Sequence, residues 1–207
     1  MKLIAAFAAA LLAASAANAV TVTGQFGAPD PGPLPGQTVV WDFDGTAAAG
    51  FSWTGGITAT NLTNSSAAAP AGTVAGTNYG YVSSKVNPNN ATFLTPDLTS
   101  ISFYWGSIDL YNKVDVLGAG GATIFTISGG MLPPSNGNQA LPATNRRINF
   151  IAGANEVITG LKFTSTGVAF EFDTFAAELA GGGTGNAVPE PSSWAMLIAG
   201  FGLVGAA

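Results

Sequence analysis

A chain of 207 residues that is 47% hydrophobic and only 8% charged must build its surface from Thr, Ser, Asn and Gly rather than Lys and Glu. It contains no His and no Cys, which excludes Ser-His and Cys-His nucleophile pairs and the usual zinc, copper and haem ligands. A net charge of −5 offers no basic face to nucleic acid, and the hydrophobic content argues against a disordered chain.

The chain opens with Met1-Lys2, an unbroken apolar run from Leu3 to Ala14, and the small residues Ala17-Asn18-Ala19. These are the three parts of a secretory signal peptide, expected as a helix over residues 1–19 that enters the secretory translocon, with cleavage before Val20. The run is too short to span a bilayer, which takes about 20 apolar residues. Residues 20–37 are rich in Gly and Pro and read as a poorly paired lead-in after one short strand, Val20 to Thr23.

The globular pattern begins at Thr38, where Val39, Trp41 and Phe43 alternate with Val40, Asp42 and Asp44 as in a half-buried strand. Further strands are expected at 56–62, 80–84, 91–94, 100–105, 113–117, 122–128, 146–150, 157–165 and 168–175, separated by Gly, Asn and Pro clusters. Thr123-Ile124-Phe125-Thr126-Ile127 is the richest in β-branched and aromatic residues. No segment carries helical apolar spacing over three turns. The pattern predicts an all-β fold, a single antiparallel β-sandwich of jelly-roll or carbohydrate-binding-module type, over residues 38–180. A Gly-rich linker follows at 181–188, and an apolar tail with Trp194 as an interfacial anchor runs from 189 to 207.

Pro189-Glu190-Pro191, followed by Trp194-Ala195-Met196 and an apolar helix, resembles the PEP-CTERM sorting signal in its PEPxxWA variant. The resemblance implies recognition by an exosortase, a membrane-embedded cysteine protease, with transient membrane anchoring and delivery to the cell surface or extracellular matrix. In that class a cluster of Arg closes the apolar helix. Within the domain, Tyr104-Trp105-Gly106-Ser107-Ile108-Asp109-Leu110-Tyr111-Asn112 is similar to a segment of the Npun_F0296 family of exosortase-dependent surface proteins. Ala169-Phe170-Glu171-Phe172-Asp173 is similar to that family's closing strand.

Three groups of residues are candidates for chemistry. Asp42-Phe43-Asp44-Gly45 has the opening of a calcium loop, but position 12 is Trp53 rather than Glu, so it is no EF-hand. A structural Ca2+ held by Asp42, Asp44, Glu171 and Asp173 is the alternative to solvent-facing carboxylates; no other cofactor is expected. Tyr104, Trp105, Asp109, Tyr111 and Asn112 have the chemistry of a glycan site, aromatic rings to stack on a sugar and polar groups for its hydroxyls. The competing reading places Trp105 in the core and gives Asp109 and Asn112 to turn chemistry. Arg146-Arg147 reads as a solvated strand start, and no acid pair can be placed across a sugar as a glycosidase requires. The expected function is a non-catalytic structural or adhesive component of the exopolysaccharide or biofilm matrix. The alternative is a lectin-like glycan-binding module.

Overall fold

The computed structural model describes residues 19–181. The signal helix, Ala17, most of the linker, Pro189, Glu190, Pro191, Trp194 and the apolar tail lie outside them. Among the described residues no helix is long and apolar enough to cross a membrane.

Eleven strands form the domain: β1 (Thr21–Phe26), β2 (Thr38–Trp41), β3 (Ser52–Gly55), β4 (Thr58–Thr60), β5 (Tyr79–Val82), β6 (Asn90–Gly106), β7 (Asn112–Leu117), β8 (Thr123–Ser128), β9 (Arg146–Ile151), β10 (Ile158–Ser165) and β11 (Phe170–Leu179). Every pairing between them is antiparallel, and all belong to one continuous sheet. The 17-residue β6 makes it a sandwich. Its first half pairs with β3 and β10, giving a layer ordered β3-β6-β10-β7-β8. Its second half pairs with β9 and β11, giving β1-β9-β6-β11, with β5-β4 and β2 along the far side of β11. The strand changes layer at Thr95-Pro96-Asp97, where Pro96 has no N–H to give to a ladder. Those residues read in sequence as a break between two strands. The structure carries one strand through them.

The core is aromatic. Phe163, Phe93 and Trp53 of the first layer meet Phe172 and Phe175 of the second, with ring centres 4.6 Å (Phe163–Phe172), 4.7 Å (Phe93–Phe175) and 5.3 Å (Trp53–Phe172) apart. Each such ring, taken wholly out of water, contributes roughly 1.5–3 kcal/mol. Trp53 lies on β3, which has no alternating apolar pattern to announce it. Trp105 is fully buried and stacks on Phe170 at 4.4 Å.

Two bulges decide which side chains face outward. Opposite β6, strand β11 carries one extra residue between Asp173 and Ala176, so Phe172 and Phe175, three apart, both enter the core. Thr174 takes the strain, with φ at 43°, a region a β-branched residue rarely visits. The second bulge is in β2: Trp41 lies opposite Phe175 and Val39 opposite Ala176, with Val40 between. Val40 turns inward and Val39 is 51% exposed, which breaks the alternation read from residues 39–43. Strand β2 ends at Trp41, and Phe43 turns back to the core with φ at 65°.

The lead-in is part of the fold rather than a poorly paired approach to it. Strand β1 pairs along its whole length with β9, and Val20 is buried. Residues 27–37 then cross the outer face of the second layer, which the alternation along β6 and β9 fills with Ser100, Ser102, Tyr104, Arg147 and Asn149. This strap is why polar side chains pointing away from the core are nonetheless buried.

Candidate functional site: an acidic cleft beside a buried ion pair

The outer face of the second layer carries a cleft of about 260 Å3 whose wall includes Asp30, Asp42, Asp44, Asp173 and Tyr104. Each acid arrives by a different local rule. Asp42 and Asp44 occupy the turn where β2 leaves the sheet, and the Asp44 N–H donates to Asp42 Oδ1 at 3.1 Å. Asp44 Oδ1 in turn accepts from the backbone N–H and side-chain amide of Asn78, at 2.7 and 3.0 Å. Asp173 faces outward by the plain alternation of Phe170-Glu171-Phe172-Asp173, just before the bulge, and accepts the strained Thr174 N–H at 2.7 Å. Asp30 comes from the strap.

Asp173 is only 6% exposed. Burial, with added repulsion from Asp44, Asp30 and Asp42, pushes its carboxyl up to about 7, against the pull of the Thr174 N–H. It therefore takes up and releases a proton near neutral pH. Behind the cleft, Arg147 is fully buried and closes a polar network. Its guanidinium grips Asp30 in a two-pronged ion pair, with Nε 2.8 Å from Oδ1 and Nη2 on Oδ2. It also donates to Ser102 Oγ at 2.9 Å and to the Thr174 carbonyl at 3.1 Å. Gln37 ties the far end of the strap, donating to Ser100 Oγ at 3.1 Å and accepting from Ser102 Oγ at 2.7 Å.

Of the four calcium candidates, Asp42, Asp44 and Asp173 reach the cleft and Glu171 does not. Glu171 lies further along the outer face, 3% exposed, accepting the Ala68 N–H and the Ser107 hydroxyl, each at 3.0 Å. Burial pushes it up to about 7, with Asp109 adding to the rise and those two hydrogen bonds opposing it. Among the described residues no group of three or more His, Cys, Asp or Glu is arranged to hold a metal ion. The acids form a charge cluster rather than a preformed cage.

The glycan candidates are used inside the fold. Tyr104 and Trp105 are fully buried, and the Tyr104 hydroxyl lies 2.9 and 2.7 Å from the carbonyls of Gly27 and Ala71. Asn112 is buried too, donating to the Ala169 carbonyl at 3.2 Å and accepting from Ser165 at 3.0 Å. Trp105 is enclosed in the core and Tyr104 lies beneath the covering loops, so neither ring presents an open face. Tyr111, half-buried, holds Asp109 Oδ2 at 2.7 Å and the Val168 carbonyl at 2.8 Å. Asp109 bridges to Asn136, and Gly137 is needed there, since a Cβ would sit 2.5 Å from Asp109 Oδ1.

Arg146 and Arg147, read as a solvated strand start, are both buried. Arg146 faces the core end of β9, its guanidinium 4.2 Å from the Phe26 ring centre, and burial lowers its pKa. Sequence reasoning missed Asp30, Arg147, Gln37 and also Asn145, whose Oδ1 accepts from both Ala71 and Ser107 N–H. One signal was present. In a chain with so few cations, two adjacent Arg inside an apolar strand call for acidic or carbonyl partners elsewhere.

The family model for the PEP-CTERM protein-sorting motif matches residues 187–207. No curated protein and no solved structure matches the chain. The likeness of the β-domain to the Npun_F0296 family is not confirmed.

Proposed function

We propose that this exported surface protein, sorted by an exosortase through its PEP-CTERM motif, is a non-catalytic structural or adhesive component of the exopolysaccharide or biofilm matrix. Passage through the secretory translocon, transient anchoring by the apolar tail and contact with exopolysaccharide belong to the same proposal. The observation that carries it is the use of the polar and aromatic side chains. Tyr104, Trp105, Tyr111, Asn112 and Glu171 are bonded or packed within the domain and hold its loops to its strands. Glu171, closed off behind Ala68 and Ser107, is unsuited to protonating a glycosidic oxygen, which supports a role without catalysis.

The test is deletion of the gene, followed by fractionation of complemented cells and a cohesion assay. The protein is expected in the surface or matrix fraction, and its loss is expected to weaken cell cohesion while polysaccharide synthesis continues. A tagged protein that stays inside the cell, or a deletion without effect on cohesion, contradicts the proposal.

Calcium-dependent glycan binding is a second reading, favoured by one observation, the gathering of Asp30, Asp42, Asp44 and Asp173 around one cleft. Thermal melting of metal-stripped protein with millimolar calcium, together with a glycan array, separates the two. A calcium-raised melting temperature with specific glycan binding favours the lectin. Neither effect leaves the structural role.

A further inference from the structure

We infer that the acidic cleft binds a glycan carrying free amines, an amino sugar whose ammonium and hydroxyl groups donate to Asp42, Asp44 and Asp173. This rests on the reading above that the protein contacts exopolysaccharide, and it names the chemistry of that contact. What marks the cleft as a site is the unspent bonding capacity of Asp173. Its side chain lines the cleft and is only 6% exposed. Its Oδ1 accepts the Thr174 N–H, whereas Oδ2 has no hydrogen-bond or ion-pair partner among the described residues. Glu171, equally buried on the same face, spends one oxygen on the Ala68 N–H and the other on the Ser107 hydroxyl. A carboxylate taken this far out of water is costly until a donor meets it. Its neighbours are half-spent too. Asp42 gives Oδ1 to the Asp44 N–H, and Asp44 gives Oδ1 to Asn78, so Oδ2 of each is left without a donor among the described residues.

The wall decides the class of ligand. Its hydroxyls are already committed as donors: Thr73 Oγ1 to the Pro70 carbonyl at 2.9 Å, Thr77 Oγ1 to the Val74 carbonyl at 2.8 Å, and Tyr104 to the carbonyls of Gly27 and Ala71. What remains is acceptors and negative charge, so a fitting ligand is positive and rich in N–H and O–H donors. The chain itself supplies no such cation among the described residues, since Arg147 is tied to Asp30, and Lys113, on the first layer, to Asp115. A metal ion needs oxygens converging on one point, which these acids do not provide. A sugar spreads its donors around a ring, so its ammonium can pair with one carboxylate while its hydroxyls reach the others. Pro29 and Val74, the latter 73% exposed, give the wall apolar surface for the C–H groups of the ring. An N-acetylated sugar lacks the charge, and an acidic one is repelled.

Isothermal titration calorimetry of the full chain in neutral detergent, at neutral pH and low salt, is the test, with a short glucosamine oligomer bearing free amines as the probe. That oligomer is expected to bind, and its N-acetylated form to bind about tenfold more weakly or less. Asp42→Asn and Asp173→Asn each keep the Oδ1 that a backbone N–H uses and lose the charge with the open oxygen. Each is expected to weaken binding about tenfold or more, with a thermal melt as cooperative as the wild type's to separate lost binding from lost fold. Glu178→Gln removes the same charge at an exposed position outside the cleft and is expected to leave binding unchanged. No binding of the free-amine oligomer, equal binding of the N-acetylated form, or an equal loss in Glu178→Gln overturns the inference. So does equal or tighter binding of a lysine oligopeptide of matched charge, which makes the cleft a site for protein lysines. A surface-located protein that supports cohesion yet binds no glucosamine oligomer contradicts this inference and leaves the structural role standing.

Discussion

The outer face of the second layer and the open edge of the first are two opposite uses of one low-charge sequence. On the outer face, Asp30, Asp42, Asp44, Asp173 and Arg147 lie together, yet the strap covers Arg147 and leaves Asp173 nearly buried. Along β8 there is no charge, and no strand among the described residues covers the edge. Charge here fastens loops, and the edge of the other layer carries none.

The largest effect erases both regions at once. Phe163→Ala removes a ring that packs on Phe103 and Phe172, and is expected to cost about 3–5 kcal/mol by denaturant unfolding. Asp30→Ala separates the two regions. It leaves the Arg147 guanidinium buried without its carboxylate, at a cost of about 3 kcal/mol, and should speed amide exchange in the strap while leaving β8 unchanged.

Proton linkage gives a third, smaller effect. Carboxyls in the unfolded chain titrate near pH 4, whereas Asp173 is pushed up to about 7 in the fold. The folded state therefore holds an extra proton between these values. The stability it contributes is full below about pH 4 and is lost as pH rises through about 7. Asp173→Asn imitates the protonated form, so it should match the wild type in acid and melt at a higher temperature at about pH 8. A variant that melts lower than the wild type at that pH contradicts the assignment. The smallest effect is Thr123→Lys, at an exposed position of β8, which should change stability by less than about 0.5 kcal/mol by denaturant unfolding.

Sequence legibility divides along the same line. Strands such as β7, β8 and β10 announce themselves because β-branched and aromatic runs between turn residues have few other ways to be buried. Strand β3 is invisible, because Ser52-Trp53-Thr54-Gly55 offers one large apolar residue and no period. The strap was misread for a different reason. Pro and Gly report local backbone freedom, whereas what holds residues 27–37 is an Asp30–Arg147 pair spanning most of the domain's sequence. The cleft was legible only in part: Asp42, Asp44 and Asp173 were singled out, but the Ala68 and Ser107 contacts that close off Glu171 on the same face, and the strap that brings Asp30, come from distant segments and leave no mark in composition.

Hydrogen exchange followed by mass spectrometry of the wild type and Asp30→Ala tests the contrast most directly. The account predicts that residues 27–37, held by the Asp30–Arg147 pair, exchange faster in Asp30→Ala, while amides of Thr123–Ser128 keep the wild-type rate. A strap whose exchange is unchanged in Asp30→Ala, or β8 amides that speed up along with it, would contradict it.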